Sequence, residues 1–305
     1  MTRRKLNLGD DGIGFAETIN GLRGYEMNNA PGQLSIELLG PLSARLGDRP
    51  VAPSATKQRQ VLALLALNAG RVVTISTLVE ELWGEHPPRS YATTLQTYIL
   101  QLRNALADAL PGNPAVRTLL GTRHCGYLLE EEACRTDVDQ FAHLVRIGRV
   151  TFESGDLLAA SEQLGRALRL WRGPALVDVR VGRVLELEVT SLEQTRLGVL
   201  ERRIEADLAL GRHAELLGEL TLAAARNPMN ENLCAFLMIT LYRSGYVGRS
   251  LEAFHRLRSV LQQELGVEPC PRLQRLQMAI LARDPALEAG EWSMAQGSSR
   301  LSGIG

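Results

Sequence analysis

The first regular pattern in the chain begins at Leu34. Leu34, Ile36 and Leu38 alternate with Ser35 and Glu37, the period of a strand with one buried face. Gly40-Pro41 turns the chain, Leu42, Ala44 and Leu46 alternate again, and beyond Gly47-Asp48 a third extended piece starts at Pro50-Val51. The period then lengthens. Ser54 is placed to cap a helix running to about Asn68, with Val61, Leu64 and Leu65 on one face, Leu62 and Leu67 widening it, and Gly70 ending it. Val72-Val73 reads as a short extended link. Thr74 or Ser76 caps a second helix whose buried face holds Leu78, Val79, Leu82 and Trp83; Gly84 and Pro87-Pro88 stop it. A third helix is expected from Ser90 to about Leu110, broken by Pro111-Gly112-Asn113-Pro114. Two strands, Val116–Leu120 and Gly126–Leu129, then enclose Gly121-Thr122-Arg123-His124-Cys125 as a hairpin with an exposed, basic tip.

Strands, three helices and a hairpin make a winged helix-turn-helix with an N-terminal sheet, the second and third helices forming the helix-turn-helix and the hairpin the wing. From about Asp137 only helical periods remain, broken at Gly155, Gly173-Pro174, Gly211, Asn227-Pro228, Gly245 and Gly266. Gly211 and Gly245 are 34 residues apart with Pro228 midway, the punctuation of a tetratricopeptide helix pair. Gly155-Asp156 with Gly173-Pro174 is an imperfect earlier copy, separated by a long helix around Leu187–Leu208. The expected fold is therefore an α+β winged helix-turn-helix domain over 34–131, followed over 137–283 by an all-α, tetratricopeptide-like stack with a concave face. Residues 1–33 lack a sustained period and read as disordered, or as sequence upstream of a start at Met27; 284–305 reads as a flexible tail.

Composition removes several function classes. Lys+Arg and Asp+Glu both number 34, so any polyanion-binding surface must come from local asymmetry. The basic residues are almost all Arg, only Lys5 and Lys57 being lysine, as codon bias in a GC-rich genome would give. Cys125, Cys134, Cys234 and Cys270 form no CxxC pair and no His completes a zinc spacing, which suits free thiols in a reducing cytoplasm and no metal or cofactor. The basic N-terminus lacks an apolar stretch behind it, and no segment reads as a membrane span. GxSxG, HExxH and glycine-rich nucleotide loops are absent, so an enzyme is not expected; the missing GxxxxGK[ST] also excludes a P-loop ATPase.

The third helix carries the chemistry. At about 100° per residue, Tyr91, Leu95, Tyr98, Ile99, Leu102 and Leu106 share one sector, while Thr93, Thr97, Leu100 and Asn104 lie opposite, flanked by Thr94, Gln96, Gln101 and Arg103. Threonine is a poor choice for an exposed helical position. Its methyl, however, fits against thymine in a major groove, where Gln pairs with adenine and Arg with guanine. A solvated face with chance threonines explains this helix alone as well. The neighbourhood tips the balance: from Arg89 to Leu128 there are four arginines, Arg89, Arg103, Arg117 and Arg123, against the single acid Asp108. Arg123 and His124 sit at the expected wing tip beside Thr122, and Lys57 and Arg59 bring charge to the start of the first helix, a seat for phosphate.

Lys57-Gln58-Arg59-Gln60-Val61-Leu62-Ala63-Leu64-Leu65, Leu82-Trp83-Gly84, Pro87-Pro88, Thr94-Leu95-Gln96-Thr97-Tyr98-Ile99, Leu102-Arg103 and the wing Gly121–Leu129 together resemble the actinobacterial antibiotic regulatory protein (SARP) family, which has an OmpR-type winged helix. Asp137-Val138-Asp139-Gln140-Phe141, Leu170-Trp171-Arg172-Gly173-Pro174-Ala175-Leu176 and Glu264-Leu265-Gly266-Val267-Glu268-Pro269 resemble that family's bacterial transcriptional activation domain. The resemblance covers about Leu34 to Leu281. It implies an activator of a secondary-metabolite gene cluster that binds direct repeats beside the promoter −35 region as a dimer on DNA and contacts RNA polymerase holoenzyme through its sigma, alpha or beta subunits. By the same resemblance Thr93, Thr94, Gln96, Thr97 and Gln101 face bases, and Arg103, Arg117 and Arg123 lie nearer phosphates. Leu100-Gln101 and Asn104 depart from the more basic residues of relatives, which bears on affinity and base preference. The competing reading is a helical-repeat adaptor whose winged helix no longer binds DNA.

Overall fold

A computed structural model describes residues 33–113 and 116–287. The expected leader lies outside the described residues but for Gln33, and so does the expected tail beyond Leu287. The chain forms two compact units. One comprises the residues through Gln140 together with Gly173–Leu187; the other comprises Phe141–Arg172 and the residues from Glu188 onward.

The first unit opens with β1 (Leu34–Glu37), β2 (Ser43–Leu46) and β3 (Arg49–Pro50). These pair antiparallel in sequence, with Ile36 opposite Ala44 and Arg45 opposite Pro50. The alternating apolar set is buried as its period requires: Leu34, Ile36 and Leu38 are fully buried. Helix α1 (Thr56–Leu67) follows an extended Ala55, with no side-chain cap from Ser54; it is buried from Gln60 through Ala66. Strand β4 (Val73–Thr74) leads into α2 (Ile75–Trp83), where Thr74 Oγ1 accepts the Thr77 amide at 3.1 Å as a helix cap. Gly84, at φ 59°, ends it. Then come α3 (Tyr91–Ala109), a helical turn α4 (Val116–Leu119), and the hairpin β5 (Leu120–Arg123) and β6 (Gly126–Leu129).

Three features of this unit differ from the sequence reading. Val116–Leu119 is helical rather than extended, so the wing begins at Leu120 and its connection is the two residues His124-Cys125. The reason is that Val116 and Leu119, three apart with the polar Arg117 and Thr118 between them, are both buried, the spacing of one helical face, and four residues are too few for the sequence period to declare it. Next, β7 (Cys134–Thr136) pairs parallel with β1, giving a four-stranded sheet in the order β3-β2-β1-β7. Its neighbour Asp137 is buried and accepts the amides of Leu38 (2.7 Å) and Leu39 (2.9 Å), which continue β1. Third, Gly173–Leu187 folds with this unit: the Leu176 amide donates to Leu38 O at 3.0 Å, and Asp178 Oδ1 accepts the Leu42 amide at 2.7 Å.

The second unit is helical. Helix α5 (Asp137–Glu153) enters it at Phe141, and α6 (Leu157–Arg169) starts at Asp156, whose carboxylate caps the Ala159 amide. Trp171 is buried edge-on to Phe141, with ring centroids 5.6 Å apart, so it belongs to the core. The long α7 (Arg183–Ala209) belongs to this unit from Glu188. Then follow α8 (His213–Arg226), α9 (Glu231–Arg243), α10 (Val247–Leu265) and α11 (Pro271–Ala282). Gly211 and Gly245, the residues 34 apart in sequence, occupy the α7–α8 and α9–α10 corners at φ 78° and 82°, values that glycine adopts freely. Helix α9 is buried from Leu233 to Tyr242 because it serves two cores: Phe236 and Leu237 pack with Ile204 and Leu220, while Met238 and Ile239 pack with Phe254 and Leu276. Order extends beyond the expected boundary at Asp284. Leu287 is buried in the second core, and its carbonyl accepts Arg243 Nε at 2.8 Å.

Candidate nucleic-acid interface

The amphipathic pattern of α3 fixes which way it faces. Leu95, Ile99, Leu102 and Leu106 are buried, and the helix packs on α1. Tyr91 and Tyr98 leave the core: Tyr91 is exposed and Tyr98 half-buried. Thr93, Gln96, Thr97, Leu100, Gln101 and Asn104 all face outward. Leu100 is 56% exposed, a large apolar side chain set among polar ones on a surface without an acid. The threonine hydroxyls turn back on the helix. Thr94 Oγ1 donates to Ser90 O (3.0 Å) and Thr97 Oγ1 to Thr93 O (2.9 Å). Each hydroxyl's hydrogen is thereby committed locally, which leaves its oxygen as an acceptor and its methyl as the apolar contact surface.

The wing is held against the helix-turn-helix by backbone. β6 pairs with β4, Val73 opposite Tyr127, and the Ile75 amide donates to Cys125 O at 2.9 Å. Gly126 is required at this junction, since a Cβ there would lie 2.0 Å from Val73 O. Arg103, on the outer flank of α3, ties helix to wing: Nε donates to Leu120 O (2.9 Å) and Nη2 to Thr122 Oγ1 (2.8 Å). Gln58 on α1 donates through Nε2 to Gln101 Oε1 on α3. Gln101 thus ties α3 to α1, and Arg103 with Thr122 ties α3 to β5, by two separate links.

The remaining cations are placed differently. Arg89 and His124 are exposed at the start of α3 and in the wing turn. Arg123 folds back over Gly121 and pairs with Glu130 at 2.7 Å; both partners are well exposed, so the pair contributes on the order of 1 kcal/mol or less. Arg59 turns inward, bonding Pro53 O, Leu42 O and Asp178 Oδ2, the last at 2.5 Å. Lys57 donates to Leu82 O at the end of α2 and lies 5.9 Å from the centre of the half-buried Trp83 ring. Burial, and then the nearby Arg180, hold its ammonium below the usual lysine range, with Glu81 opposing. The side chain of Arg117 lies outside the described residues.

Sequence reasoning missed the acids and amides that fix this surface. Glu81 is buried on α2 and accepts the amides of Gly182 (2.5 Å) and Leu185 (2.9 Å) at the start of α7, along with Gln60 Nε2 (3.3 Å). Its only sequence signal is position: it precedes Leu82, toward the buried side of an amphipathic helix. Gln58 carried no signal, because its partner is remote in sequence. Among the described residues no group of His, Cys, Asp and Glu is arranged to hold a metal ion, and no helix is long and apolar enough to cross a membrane.

Two family models match the chain. The model for the C-terminal domain of transcriptional regulatory proteins covers residues 50–129, and that for the bacterial transcriptional activator domain covers 136–281. Both describe transcriptional regulators, not enzymes. The regulatory protein DnrI of Streptomyces peucetius is 51% identical over 257 residues, 84% of this chain and 94% of that protein. The transcriptional regulator RedD of Streptomyces coelicolor is 37% identical over 87% of this chain and 75% of its own length. Among solved structures, Mycobacterium tuberculosis EmbR in complex with a low-affinity phosphopeptide superposes with a TM-score of 0.76 at 32% identity, over 85% of this chain and 68% of that one. With a winged helix followed by a helical activator domain, and with these relatives, the chain belongs to the SARP family of transcriptional activators.

Proposed function

We propose that the protein is a sequence-specific DNA-binding activator of a secondary-metabolite, antibiotic-type gene cluster, acting in the cytoplasm by engaging direct repeats near the promoter −35 region and recruiting RNA polymerase holoenzyme. The observation that carries this reading is the outer face of α3: exposed, free of acids through Gln101, and tied to the wing by Arg103. On that face Gln96 and Gln101 supply amides for base edges, and Thr93, Thr97 and Leu100 supply methyls for thymine. Thr94 and Thr122 flank this surface, while Arg89, Arg117, Arg123 and His124 supply positive charge for phosphates. Arg103, spent on the helix-to-wing link, orients the wing. Lys57 and Arg59 act from behind: their internal bonds hold the end of α2 and the loop before α1, and their charge adds to the local potential.

Two protomers side by side on direct repeats would explain how one short helix selects a promoter, since a single α3 reads only a few base pairs. A protection footprint on the DNA adjoining the gene tests the proposal. Protected repeats spaced by whole helical turns support it. Uniform or absent protection overturns it and leaves the helical domain as a protein-binding module.

A further inference from the structure

We infer that the helical unit carries a binding site for a small anionic ligand, in a cleft enclosed by α6, α7 and the start of α8. The cleft has a volume of about 500 Å3, within the range that holds small organic ligands. Leu216 is its one large apolar wall; the rest is charged or polar. Its floor is a built network. Asp207 on α7 is buried and accepts Ser161 Oγ (2.6 Å), Arg203 Nη1 (3.3 Å) and Arg212 Nη1 (3.2 Å). Arg203 also bonds Glu219 on α8. Three helices, α6, α7 and α8, are thereby joined through Asp207 and Arg203, and the cations of the floor are neutralised.

The rim is different. Arg166 and Arg169, three apart on α6, line the same cleft. Arg169 forms no ion pair or hydrogen bond among the described residues, and Arg166 reaches only the neutral Gln163, at 3.5 Å. Gly165, one turn before Arg169 on the same helix, leaves room for Arg169 to lie down toward the stem of Arg203. Measured from the position a Gly165 Cβ would take, Arg169 Nη1 is 3.6 Å away and Arg203 Cδ 3.8 Å. Arg169 thus lies against the aliphatic stem of Arg203, whose own charge is answered by Asp207 and Glu219, while among the described residues no carboxylate pairs with Arg166 or Arg169. Two cations without a counter-charge on one wall of a cleft favour an anion between them. Guanidinium forks match phosphate and carboxylate oxygens in paired bonds. Glu162 and Glu215, lining the same cleft, supply acceptors for hydroxyl or amine groups. The ligand class is therefore a hydroxylated or aminated small molecule bearing a phosphate or carboxylate.

The test is calorimetric titration of the full chain with inorganic phosphate, and separately with citrate, each at constant ionic strength maintained with chloride. Saturable binding is expected, tightest for whichever acid the natural ligand carries. The double substitution Arg166→Ala/Arg169→Ala should weaken it at least tenfold, while Arg256→Ala, at an exposed position on α10, should leave it unchanged. Gly165→Phe, which fills the cleft without altering charge, should also abolish binding and keeps the test decisive should the double variant unfold. Affinity for promoter DNA, measured without the anion, should be the same in all these variants, so this site fails or stands independently of the DNA-binding reading. Non-saturable heats, or equal losses in Arg256→Ala and the double variant, would overturn the inference.

Discussion

The carboxylate of Glu81, on the first helix of the helix-turn-helix, accepts the Leu185 amide at 2.9 Å across more than one hundred residues of sequence. With the Gly182 amide also bound, Glu81 takes the place of an N-cap for α7, satisfying N–H groups that a helix start otherwise leaves open. Gly182 has no alternative residue, since a Cβ there would lie 2.2 Å from Glu81 O. Replacing Glu81 with Ala strands two backbone amide donors and takes the acceptor from Gln60 Nε2. The expected loss is about 2–4 kcal/mol, at roughly 1–3 kcal/mol for each stranded donor less relaxation. Glu81→Gln keeps an acceptor oxygen and should lose less than half as much. Urea denaturation followed by circular dichroism measures both; equal stability of Glu81→Ala and wild type would remove the cap.

Gln96 is exposed on the acid-free face of α3 and projects from the first half of the helix. Gln96→Ala should relax preference at a single base position and reduce affinity for the preferred site by about 1–3 kcal/mol, with binding to scrambled DNA unaltered. Selection from a randomised duplex pool reads this directly. An unchanged sequence preference removes Gln96 from base readout.

Arg123 is held by Glu130 through a weak, exposed pair, so a phosphate can take it over. Arg123→Ala should lower affinity for all sequences alike and flatten the salt dependence by up to about one unit of slope. Glu130→Gln should act in the opposite sense, tightening binding at low salt by releasing the arginine. Fluorescence anisotropy on one duplex at several salt concentrations checks both, and identical effects from the two substitutions would contradict the competition.

The four thiols should separate by environment. Cys125 is exposed in the wing turn, whereas burial pushes the Cys134 and Cys234 thiols up to about 12, with Asp139 and Glu231 respectively adding to the effect. A thiol-specific reagent at neutral pH should modify Cys125 first and the buried pair only on unfolding. The sign of the pH effect follows. Unfolded thiols ionise near the ordinary value of 9.0 while the buried ones stay protonated, so their contribution to stability is intact below about pH 9 and is lost as pH rises toward 12. Rapid modification of all four in the native protein would contradict this packing.

Much of this arrangement is visible in the chain itself, and the exceptions share a cause. The alternation of Leu34, Ile36 and Leu38, the stripe Leu95-Ile99-Leu102-Leu106 and the corner glycines 211 and 245 are local signals, and the elements form where those periods place them. The parallel strand at Cys134–Thr136 is only three residues long and gains its identity from β1, about a hundred positions earlier. Gly173–Leu187 likewise owes its place to remote partners, Leu38, Leu42, Arg59 and Glu81. Charge misled in the same way. Lys57 and Arg59 look like free cations in sequence, yet the acceptors they engage, Leu82 O and Asp178, declare themselves only when the chain is folded. For the candidate interface, periodicity shows which face of α3 is outward; which cations remain available to DNA is decided by tertiary pairing.

Equilibrium binding of the full chain to its promoter repeat and to a scrambled duplex, followed across a salt series, addresses the central claim most directly. With at least three phosphates engaged around α3 and the wing, log affinity should fall with log salt at a slope steeper than roughly −2.5 on both duplexes, while the promoter stays on the order of a thousandfold or more tighter throughout. A flat salt response, or equal affinity for the two duplexes, would contradict the account.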